Sequence, residues 1–318
     1  MKAIAINKYG SVDVLEYIDV EKPLVTSDRL LVKISASSVN PIDWKIRKGM
    51  LRVLTGNKFP MVLGFDVAGE VVEVGDRVTD FKPGDPIYAY LDPIPGGAYA
   101  EYTAVSPQVA CLKPTNLTYE QAAAVPLAAT TALQALRDKA EIKKGQKVLI
   151  NGASGGVGVF AVQIAKAYQA EVTGVCSNKN IELVKSLGAD KVIDYKQQDF
   201  TKETEKYDII FDAVSNREFS ECKDNLLPQG IYIKLLPSFD ILVQGFLTLF
   251  TSKKAKLFFA KANSKDLTYL KDLIETGKVK SIVDRTYPLS EVAEAHRYSE
   301  SGRAVGKIVI KVADEKIE

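Results

Sequence analysis

The sequence predicts the α/β fold class, with a doubly wound parallel sheet joined to a second, β-rich domain. Up to about residue 122 the chain of 318 residues consists of short apolar or alternating runs separated by turn residues, without helical periodicity. From about residue 123, strand-like runs alternate with helical runs, an order typical of a parallel sheet with helices on both faces. The predicted domains are 1–122 together with 262–318, and 123–261.

The β-rich domain is predicted from three runs: LLVKIS from Leu30, VAGEVVEVG from Val67 and PIYAY from Pro86. After residue 262, a helix from Ser264 leads to the strand-like IVDRTYPLS, to a helix through 292–299 and to the closing strand KIVIKV. We expect this last strand to return to the first domain.

The middle of the chain contains the alternating elements. In order they are a helix over 119–140, the strand VLI at 148–150, a helix reaching 168, the strand EVTGVC at 171–176, a helix over 180–187, the strands KVID at 191–194 and YDIIFD at 207–212, a helix from Glu218, and the strand GIYIK from Gly230. The strands are short, apolar and rich in β-branched residues, which favours buried strands over helices.

The segment KVLINGASGGVGVFAVQIAKAY, residues 147–168, predicts a strand, a glycine turn and a helix in immediate succession. Gly155 would let the backbone approach a pyrophosphate, and Gly158 would let the helix pack closely on the strand, while Ala153 replaces the first glycine of the usual pattern. We therefore expect a dinucleotide at the helix N-terminus, since backbone N–H groups there bind phosphate. The predicted contacts are Ser154, Gly155, Gly156, Val157 and Gly158. The alternative is a purely structural glycine turn.

The end of the next strand indicates which dinucleotide binds. An NAD site usually has Asp or Glu about 20 residues beyond the glycines, on the ribose 2′-OH. Here the strand EVTGVC is followed by Ser177, Asn178 and Lys179, with no carboxylate. Hydroxyl and cationic groups suit the 2′-phosphate of NADPH, so Ser177 and Lys179 are predicted NADPH contacts. Lys179 is alternatively an ordinary solvated lysine.

Composition excludes several classes of function. The 42 Lys and Arg residues against 40 acids give a net charge of +2 without a long basic tract, so nucleic-acid binding is not expected. The three cysteines are an odd number and widely separated, which favours a reducing compartment. Residues after Met1 read as a strand and not as a signal or transit peptide, and we expect a cytoplasmic protein.

One apolar stretch, FDILVQGFLTLF at 239–250, precedes the basic SKKAK. It is shorter than the ~20 residues that span a bilayer. Peripheral contact with an anionic membrane is one interpretation. A core, a substrate pocket or a dimer interface are the others.

Seven motifs, in the same order along the chain, carry a resemblance to a known family. They are SSVNPIDWKIRKGM at 37–50, GFDVAGEVVEVG, GGAYAEYTAV, LAATTALQAL, NGASGGVG, KSLGADKVIDY and GRAVGKIVI. They resemble the zinc-independent quinone oxidoreductases and enone reductases, a branch of the medium-chain dehydrogenase/reductase superfamily. The resemblance covers almost the whole chain. It implies a Rossmann domain between two parts of a GroES-like catalytic domain, and NADPH-dependent reduction of quinones or of the C=C bond of α,β-unsaturated carbonyl compounds.

Zinc-dependent members of the superfamily carry a cysteine near the first catalytic loop and a Gly-His-Glu signature. Here those places read NPID and Gly64-Phe65-Asp66, and the single histidine, His296, lies far from both. Zinc needs about four soft or imidazole ligands. We therefore expect no metal site.

The resemblance also implies catalytic residues. Hydride transfer to an enone places negative charge on the carbonyl oxygen, which calls for a nearby donor or cation. Lys45 matches a family lysine near the nicotinamide ribose and the substrate oxygen, and its alternative is a solvated lysine. Asn40 and Asp43 match the NPxD pattern at the nicotinamide pocket, where they would bridge the loop backbone, the ribose and Lys45, although Asn-Pro is also a turn signal. Some relatives have tyrosines at the positions of Lys45 and Leu51, so a tyrosine-based proton role does not transfer.

Further cofactor contacts follow from the same resemblance. Thr131 matches a threonine that faces the nicotinamide, and Tyr195 one that lies by the adenosine phosphate. Arg303 and Lys307, in GRAVGK, lie where the family closes its cofactor cleft. The alternatives are a tight helix contact for Thr131, aromatic packing for Tyr195 and a surface ion pair for Arg303. Asp212 is expected to cap a turn and not to act as a base.

Two other functions stay open on the sequence. One is an NADPH-binding protein with a structural or interaction role, because some relatives are lens crystallins or bind RNA. The other is reduction of an enoyl thioester. Relatives commonly dimerise through the edge of the cofactor-domain sheet, so a homodimer with residues 230–236 as its edge is expected.

Overall fold

The computed structural model describes residues 1–312, and the strands and helices are numbered in chain order. The strands are β1 Lys2–Ile6, β2 Leu15–Asp19, β3 Leu30–Val39, β4 Met61–Val62, β5 Asp66–Val74, β6 Pro86–Tyr90, β7 Tyr102–Val105, β8 Ala110–Leu112, β9 Lys147–Asn151, β10 Glu171–Cys176, β11 Lys191–Asp194, β12 Tyr207–Asp212, β13 Leu226–Lys234, β14 Lys254–Leu257, β15 Val283–Pro288 and β16 Lys307–Lys311. The α-helices are α1 Pro41–Arg47, α2 Arg52–Thr55, α3 Tyr119–Ala123, α4 Pro126–Gln134, α5 Gly158–Ala167, α6 Ile181–Ser186, α7 Phe219–Cys222, α8 Phe239–Leu247, α9 Ser264–Glu275 and α10 Val292–Glu300.

The chain divides into two compact units. Unit 1 comprises Met1–Ala128, Ala262–Gly277 and the chain from Ser281, and unit 2 comprises Ala129–Lys261 and Lys278–Lys280. The sequence pattern puts the first boundary after residue 122. The structure continues unit 1 further because α3 packs against β3 and β5.

Unit 1 is β-rich. Its larger sheet has the order β15-β16-β3-β5-β6-β8, with β7 also paired to β3, and a smaller sheet has the order β2-β1-β4. The closing strand β16 pairs antiparallel with β3, so the end of the chain returns to the first unit as expected. This pairing brings Lys307, the first residue of β16, close to Val39 and Asn40 at the end of β3.

Unit 2 contains one parallel sheet with the order β11-β10-β9-β12-β13-β14. Numbered along the chain, this is 3-2-1-4-5-6, the strand order of the Rossmann fold. The order reverses between β9 and β12, and such a switch point is where open α/β sheets bind ligands, beyond the carboxyl ends of the strands. The predicted α/β fold with a Rossmann sheet and a separate β-rich domain is confirmed.

Two predicted elements are wrong in detail. The helix expected over 119–140 is interrupted, because Pro126 lacks the N–H that an interior helical residue needs. Pro126 begins α4, which continues as the π-helical turn Ala135–Lys139. Residues 230–236 do not supply a sheet edge, since β14 pairs in parallel with β13 and covers it. The edge strands of this sheet are β11 and β14.

Residues 239–250 form α8 and a following 3-10 turn, Thr248–Phe250. Within residues 1–312, no helix has both the length and the apolar character needed to cross a bilayer.

Candidate active site

The glycine turn of unit 2 lies between β9 and α5, next to the switch point of the sheet. Gly152 has a φ of +81°, a conformation that favours glycine. A Cβ on Gly158 would lie 2.0 Å from the carbonyl oxygen of Gly152, so only glycine permits this approach of helix to turn. A Cβ on Gly155 would meet no atom closer than 3.4 Å. The turn is therefore tight at the strand and less crowded at Gly155, as a pyrophosphate cradle requires.

The predicted 2′-phosphate contacts lie at the ends of β10 and β11. Ser177 follows β10 and is 8% exposed, whereas Lys179 is exposed in the short turn that leads to α6. The Asn180 amide donates hydrogen bonds to Ser154 Oγ at 3.0 Å and to Ser177 Oγ at 3.3 Å. The structure therefore joins the glycine turn to the end of β10 through Asn180, which the sequence prediction did not include. Tyr195 follows β11, with its side chain 56% exposed.

Asp212, at the carboxyl end of β12, caps the following turn as predicted. One carboxylate oxygen accepts from the Ser215 amide at 2.8 Å, and the other accepts from the Arg217 amide at 2.9 Å. The Asn151 side-chain amide also donates a hydrogen bond to the Asp212 carboxylate. Because these bonds use both carboxylate oxygens to stabilise the turn, Asp212 has a structural role there. Thr131, the other predicted cofactor contact in unit 2, is nearly buried in α4.

Asp66 is the centre of a buried polar cluster in unit 1. Its carboxylate accepts hydrogen bonds from Ser38 Oγ at 2.5 Å, from Asn40 Nδ2 at 2.7 Å and from the Leu127 amide at 2.7 Å. The Lys307 ammonium forms a 3.4 Å ion pair with it and also donates to Asn40 Oδ1 at 2.5 Å. The cluster fixes both ends of the Asn40 amide, the residue that precedes α1.

Asp43 lies within the first turn of α1 and is fully buried. Its Oδ2 atom accepts hydrogen bonds from the backbone N–H of Asn40 at 2.7 Å and from the Tyr99 hydroxyl at 2.8 Å. Its Oδ1 atom has no hydrogen-bond partner in residues 1–312. Burial raises the pKa of Asp43 to about 7, against the effect of its two donors. Asn40 and Asp43 thus bind the loop backbone and the buried cluster.

Lys45, on the same helix, is half-buried. Its Nζ atom lies 5.3 Å from the centre of the Trp44 ring, and burial lowers its pKa. In the part of the chain that the structure describes, no carboxylate lies within ion-pair distance of this ammonium. Lys48, by contrast, pairs with Glu300 at 2.5 Å. Lys45 is therefore a partly desolvated cation that is available to an anionic oxygen.

Lys307 and Arg303 differ in their surroundings. Lys307 is 3% exposed, and its ammonium is bound to Asp66, Asn40 and the Val39 carbonyl. The sequence interpretation treats it as a cofactor contact and misses this internal pairing. Arg303 is exposed in the turn before β16.

The pH dependence of the free energy of unfolding tests whether the pKa of Asp43 is raised in the folded protein. An acid whose folded pKa is raised from 3.8 to about 7 binds more protons in the folded state between these values. Its contribution to stability is present below about pH 4 and is lost as the pH rises through about 7. We expect the native protein to lose stability relative to Asp43→Asn over this window, by about 1.4 kcal/mol per pH unit at the steepest. Urea unfolding at a series of pH values measures the difference, and a constant difference between pH 4 and 8 would contradict it.

His296 provides a comparison of opposite sign, because burial lowers its pKa whereas burial raises that of Asp43. Burial and the nearby Arg47 lower the pKa of His296 to about 3, so this ring is neutral in the folded protein. Its unfolded form binds a proton below about pH 6.5, and stability therefore rises with pH between about 3 and 6.5. His296→Gln should remove this rise, whereas Asp43→Asn should make it steeper.

Zinc does not fit the residues of unit 1 that the structure describes. Among residues 1–312 no group of three or more His, Cys, Asp and Glu side chains is arranged to hold a metal ion. Asp66, which stands in the Gly-His-Glu position, is occupied by Lys307 and three hydrogen-bond donors.

Two family models match the chain. One describes the alcohol dehydrogenase GroES-like domain and matches residues 26–115, and the other describes a zinc-binding dehydrogenase and matches residues 187–310. The second description names a metal for which residues 1–312 contain no group of three or more candidate ligands.

Several known proteins are similar over nearly the whole chain. The chloroplast envelope quinone oxidoreductase homolog of Arabidopsis thaliana is 38% identical, over 98% of both chains. The chloroplastic NADPH-dependent alkenal/one oxidoreductase of the same plant is 37% identical, over 98% of this chain and 79% of its own. The quinone oxidoreductase structure from Coxiella burnetii has a TM-score of 0.91 and 33% identity, covering 98% of this chain and 99% of its own. The chain belongs to the quinone oxidoreductase and enone reductase branch of the medium-chain dehydrogenase/reductase superfamily.

Proposed function

We propose that this chain is an NADPH-dependent oxidoreductase that transfers a hydride to a quinone or to the C=C bond of an α,β-unsaturated carbonyl compound. The observation that carries the proposal is the glycine turn at the switch point of the unit 2 sheet. A Cβ added to Gly158 would lie only 2.0 Å from the Gly152 carbonyl oxygen, so the turn requires glycine there. Its similarity to a quinone oxidoreductase homolog and to an NADPH-dependent alkenal/one oxidoreductase supports the reaction.

The residues of unit 2 fit a phosphorylated dinucleotide. The turn from Ser154 to Gly158 would hold the pyrophosphate. Ser177 and Lys179 would bind the 2′-phosphate, and Tyr195 would lie against the adenosine phosphate. The absence of a carboxylate at the end of β10 favours NADPH over NADH, because an acid there would repel the 2′-phosphate. Thr131 and Arg303 stay predicted cofactor contacts.

Lys45 is the proposed catalytic residue. When bound, the cofactor supplies the hydride, and the acceptor oxygen then gains negative charge. A cation in a partly desolvated position stabilises that charge more strongly than one in bulk water. Lys45 has no carboxylate partner to compete for its ammonium in residues 1–312. Asn40, Asp43 and Lys307 act as positioning residues, because they fix the start of the helix that carries Lys45.

Replacing Lys179 by alanine tests the choice of cofactor. Loss of one charged contact to the 2′-phosphate should weaken NADPH binding by on the order of tenfold or more, because a hydrogen bond to a charged group contributes ~1.5–3 kcal/mol. NADH lacks this phosphate, so its affinity should change little. Calorimetric titration of both dinucleotides measures the ratio. Lys185→Ala, on the exposed face of α6, is the control. Equal losses for NADPH and NADH would exclude Lys179 from the 2′-phosphate site.

The proposed reaction is tested with purified protein, NADPH and a panel of quinones, enones, enals and enoyl thioesters. Loss of NADPH absorbance with a quinone or a conjugated enone is the expected result. Preference for an enoyl thioester would replace the proposed acceptor class. NADPH binding without turnover on any acceptor would favour a structural or interaction role. The homodimer, the cytoplasmic location and the absence of nucleic-acid binding stay predictions.

A further inference from the structure

The Asn180 side chain of unit 2 brings two serine hydroxyls together. Ser154 belongs to the glycine turn and Ser177 follows β10, and both residues are buried, at 9% and 8% exposed. Asn180 Nδ2 donates hydrogen bonds to Ser154 Oγ at 3.0 Å and to Ser177 Oγ at 3.3 Å. Because one nitrogen atom makes both bonds, the two hydroxyl oxygens are close enough for both to reach one phosphate group.

The direction of these hydrogen bonds leaves both hydroxyl protons available. A serine hydroxyl has one proton to donate and two lone pairs that accept, and Asn180 uses one lone pair of each oxygen. Within residues 1–312, neither hydroxyl donates to another protein group, and Ser177 does not cap the short turn that it precedes. Two adjacent O–H donors suit a ligand with several acceptor oxygens, and a phosphate is such a ligand.

The charges around the two serines also favour an anion. Lys179 is exposed in the same turn, and residues 176–181, CSNKNI, contain no acid. The next residue, Glu182, forms an ion pair with Lys185 at 3.0 Å. Asp194, which ends the neighbouring strand β11, accepts a hydrogen bond from a backbone amide of its own turn at 3.1 Å. The segment after β10 therefore offers a ligand two hydroxyl donors and one cation.

We propose that Asn180 selects NADPH by holding Ser154 and Ser177 as two hydroxyl donors to its 2′-phosphate. Asn180 acts through the serines and is therefore a positioning residue. The backbone of Ser154 stays part of the turn that would hold the pyrophosphate, whereas its hydroxyl serves the 2′-phosphate. This inference rests on the proposed function, which supplies the phosphorylated dinucleotide. NADH has a neutral hydroxyl in place of this phosphate, and hydrogen bonds between neutral groups are weaker than those to an anion.

Asn180→Asp tests the proposal with nearly the same side-chain shape. A carboxylate only accepts hydrogen bonds, so it would turn both hydroxyl protons toward residue 180 and would repel the phosphate. Calorimetric titration should show NADPH affinity lowered on the order of a hundredfold, the effect of losing two hydrogen bonds to a charged group, while NADH affinity changes less than about threefold. Adenosine 2′,5′-bisphosphate and AMP, titrated separately, should show the same contrast.

Asn180→Ala tests whether Asn180 acts through the two serines. This variant should lower NADPH affinity about fivefold, because the hydroxyls lose the bonds that orient them but meet no new acceptor. In a protein that already carries Ser154→Ala and Ser177→Ala, the same change should have little further effect, since groups that act together are not additive. A full additional loss in that background would contradict a role through the serines.

Asn178→Asp is the matched control, because it adds the same charge at an exposed position of the same turn. It should lower NADPH affinity much less than Asn180→Asp, and circular dichroism with NADH affinity checks that every variant is folded. Equal losses for NADPH and NADH in Asn180→Asp, or equal effects of the two aspartate variants, would overturn the inference while the proposed function stands. A parent protein that binds neither dinucleotide would overturn both.

Discussion

Replacing Lys307 by methionine is expected to lower the free energy of unfolding by about 3–5 kcal/mol, the usual effect of removing one partner of a buried ion pair. Lys307 is 3% exposed and Asp66 is fully buried, so the variant would leave a carboxylate in the interior without its cation. The hydrogen bonds from Ser38, Asn40 and the Leu127 amide would stay, but they do not neutralise the charge. Urea unfolding of parent and variant at one pH measures the difference.

A double-mutant cycle separates the ion pair from the loss of packing. Asp66→Asn removes the carboxylate charge, and its combination with Lys307→Met should recover much of the stability lost by either change alone. The control is Lys185→Met, because the Lys185–Glu182 pair is exposed and should contribute at most ~1 kcal/mol. Additive losses of unfolding free energy in the cycle would show that the buried pair does not anchor α1. Equal losses of unfolding free energy in Lys307→Met and Lys185→Met would show the same.

Replacing Lys45 by alanine should lower kcat/KM by about one to two orders of magnitude with the preferred acceptor, the typical loss for one transition-state donor. The loss should appear mainly in kcat, because the charge on the acceptor oxygen develops only as the hydride is transferred. Lys45→Arg should retain part of the activity, since it keeps a cation near the same position. NADPH affinity, measured separately, should change little.

Lys48→Ala is the matched control for Lys45. Both ammonium groups lie over the Trp44 ring, at 5.3 Å for Lys45 and 5.1 Å for Lys48, but Lys48 is paired with Glu300. We expect Lys48→Ala to leave kcat nearly unchanged. Equal kinetics for the parent and Lys45→Ala would remove Lys45 from the mechanism, whereas equal losses in both variants would indicate a general effect of α1.

Local sequence patterns predict much of unit 2. The strand, the glycine turn and the helix at 147–168 are continuous in sequence, so their geometry depends on nearby residues, and strand and helix are found where expected. The parallel sheet follows from the alternation of strands and helices, whereas its strand order and its sixth strand do not. The break at Pro126 was predictable from the proline alone. By contrast, β14 has only four residues, two of them lysines, and gave too weak a pattern to identify the true sheet edge.

The polar cluster of unit 1 could not be predicted from local pattern. Asp66 and Lys307 are 241 positions apart, and their contact depends on the pairing of β16 with β3. The same holds for Tyr99, which donates to Asp43 across 56 positions. A charged residue beside Asn-Pro or in a glycine-rich segment gives no signal that its partner is an internal carboxylate. For this reason the sequence alone indicates a cofactor contact for Lys307 and not its pairing with Asp66.

The central claim is direct transfer of a hydride from NADPH to a quinone or a conjugated enone. The most direct measurement uses NADPH deuterated at the nicotinamide C4 position, on each face in separate samples, with an enone acceptor and mass spectrometry of the product. The proposed function predicts deuterium on the β-carbon of the saturated product from one face only, with one NADPH oxidised per product. A saturated product that carries no deuterium from either sample, or no reduction of any enone or quinone by protein that binds NADPH, would contradict it.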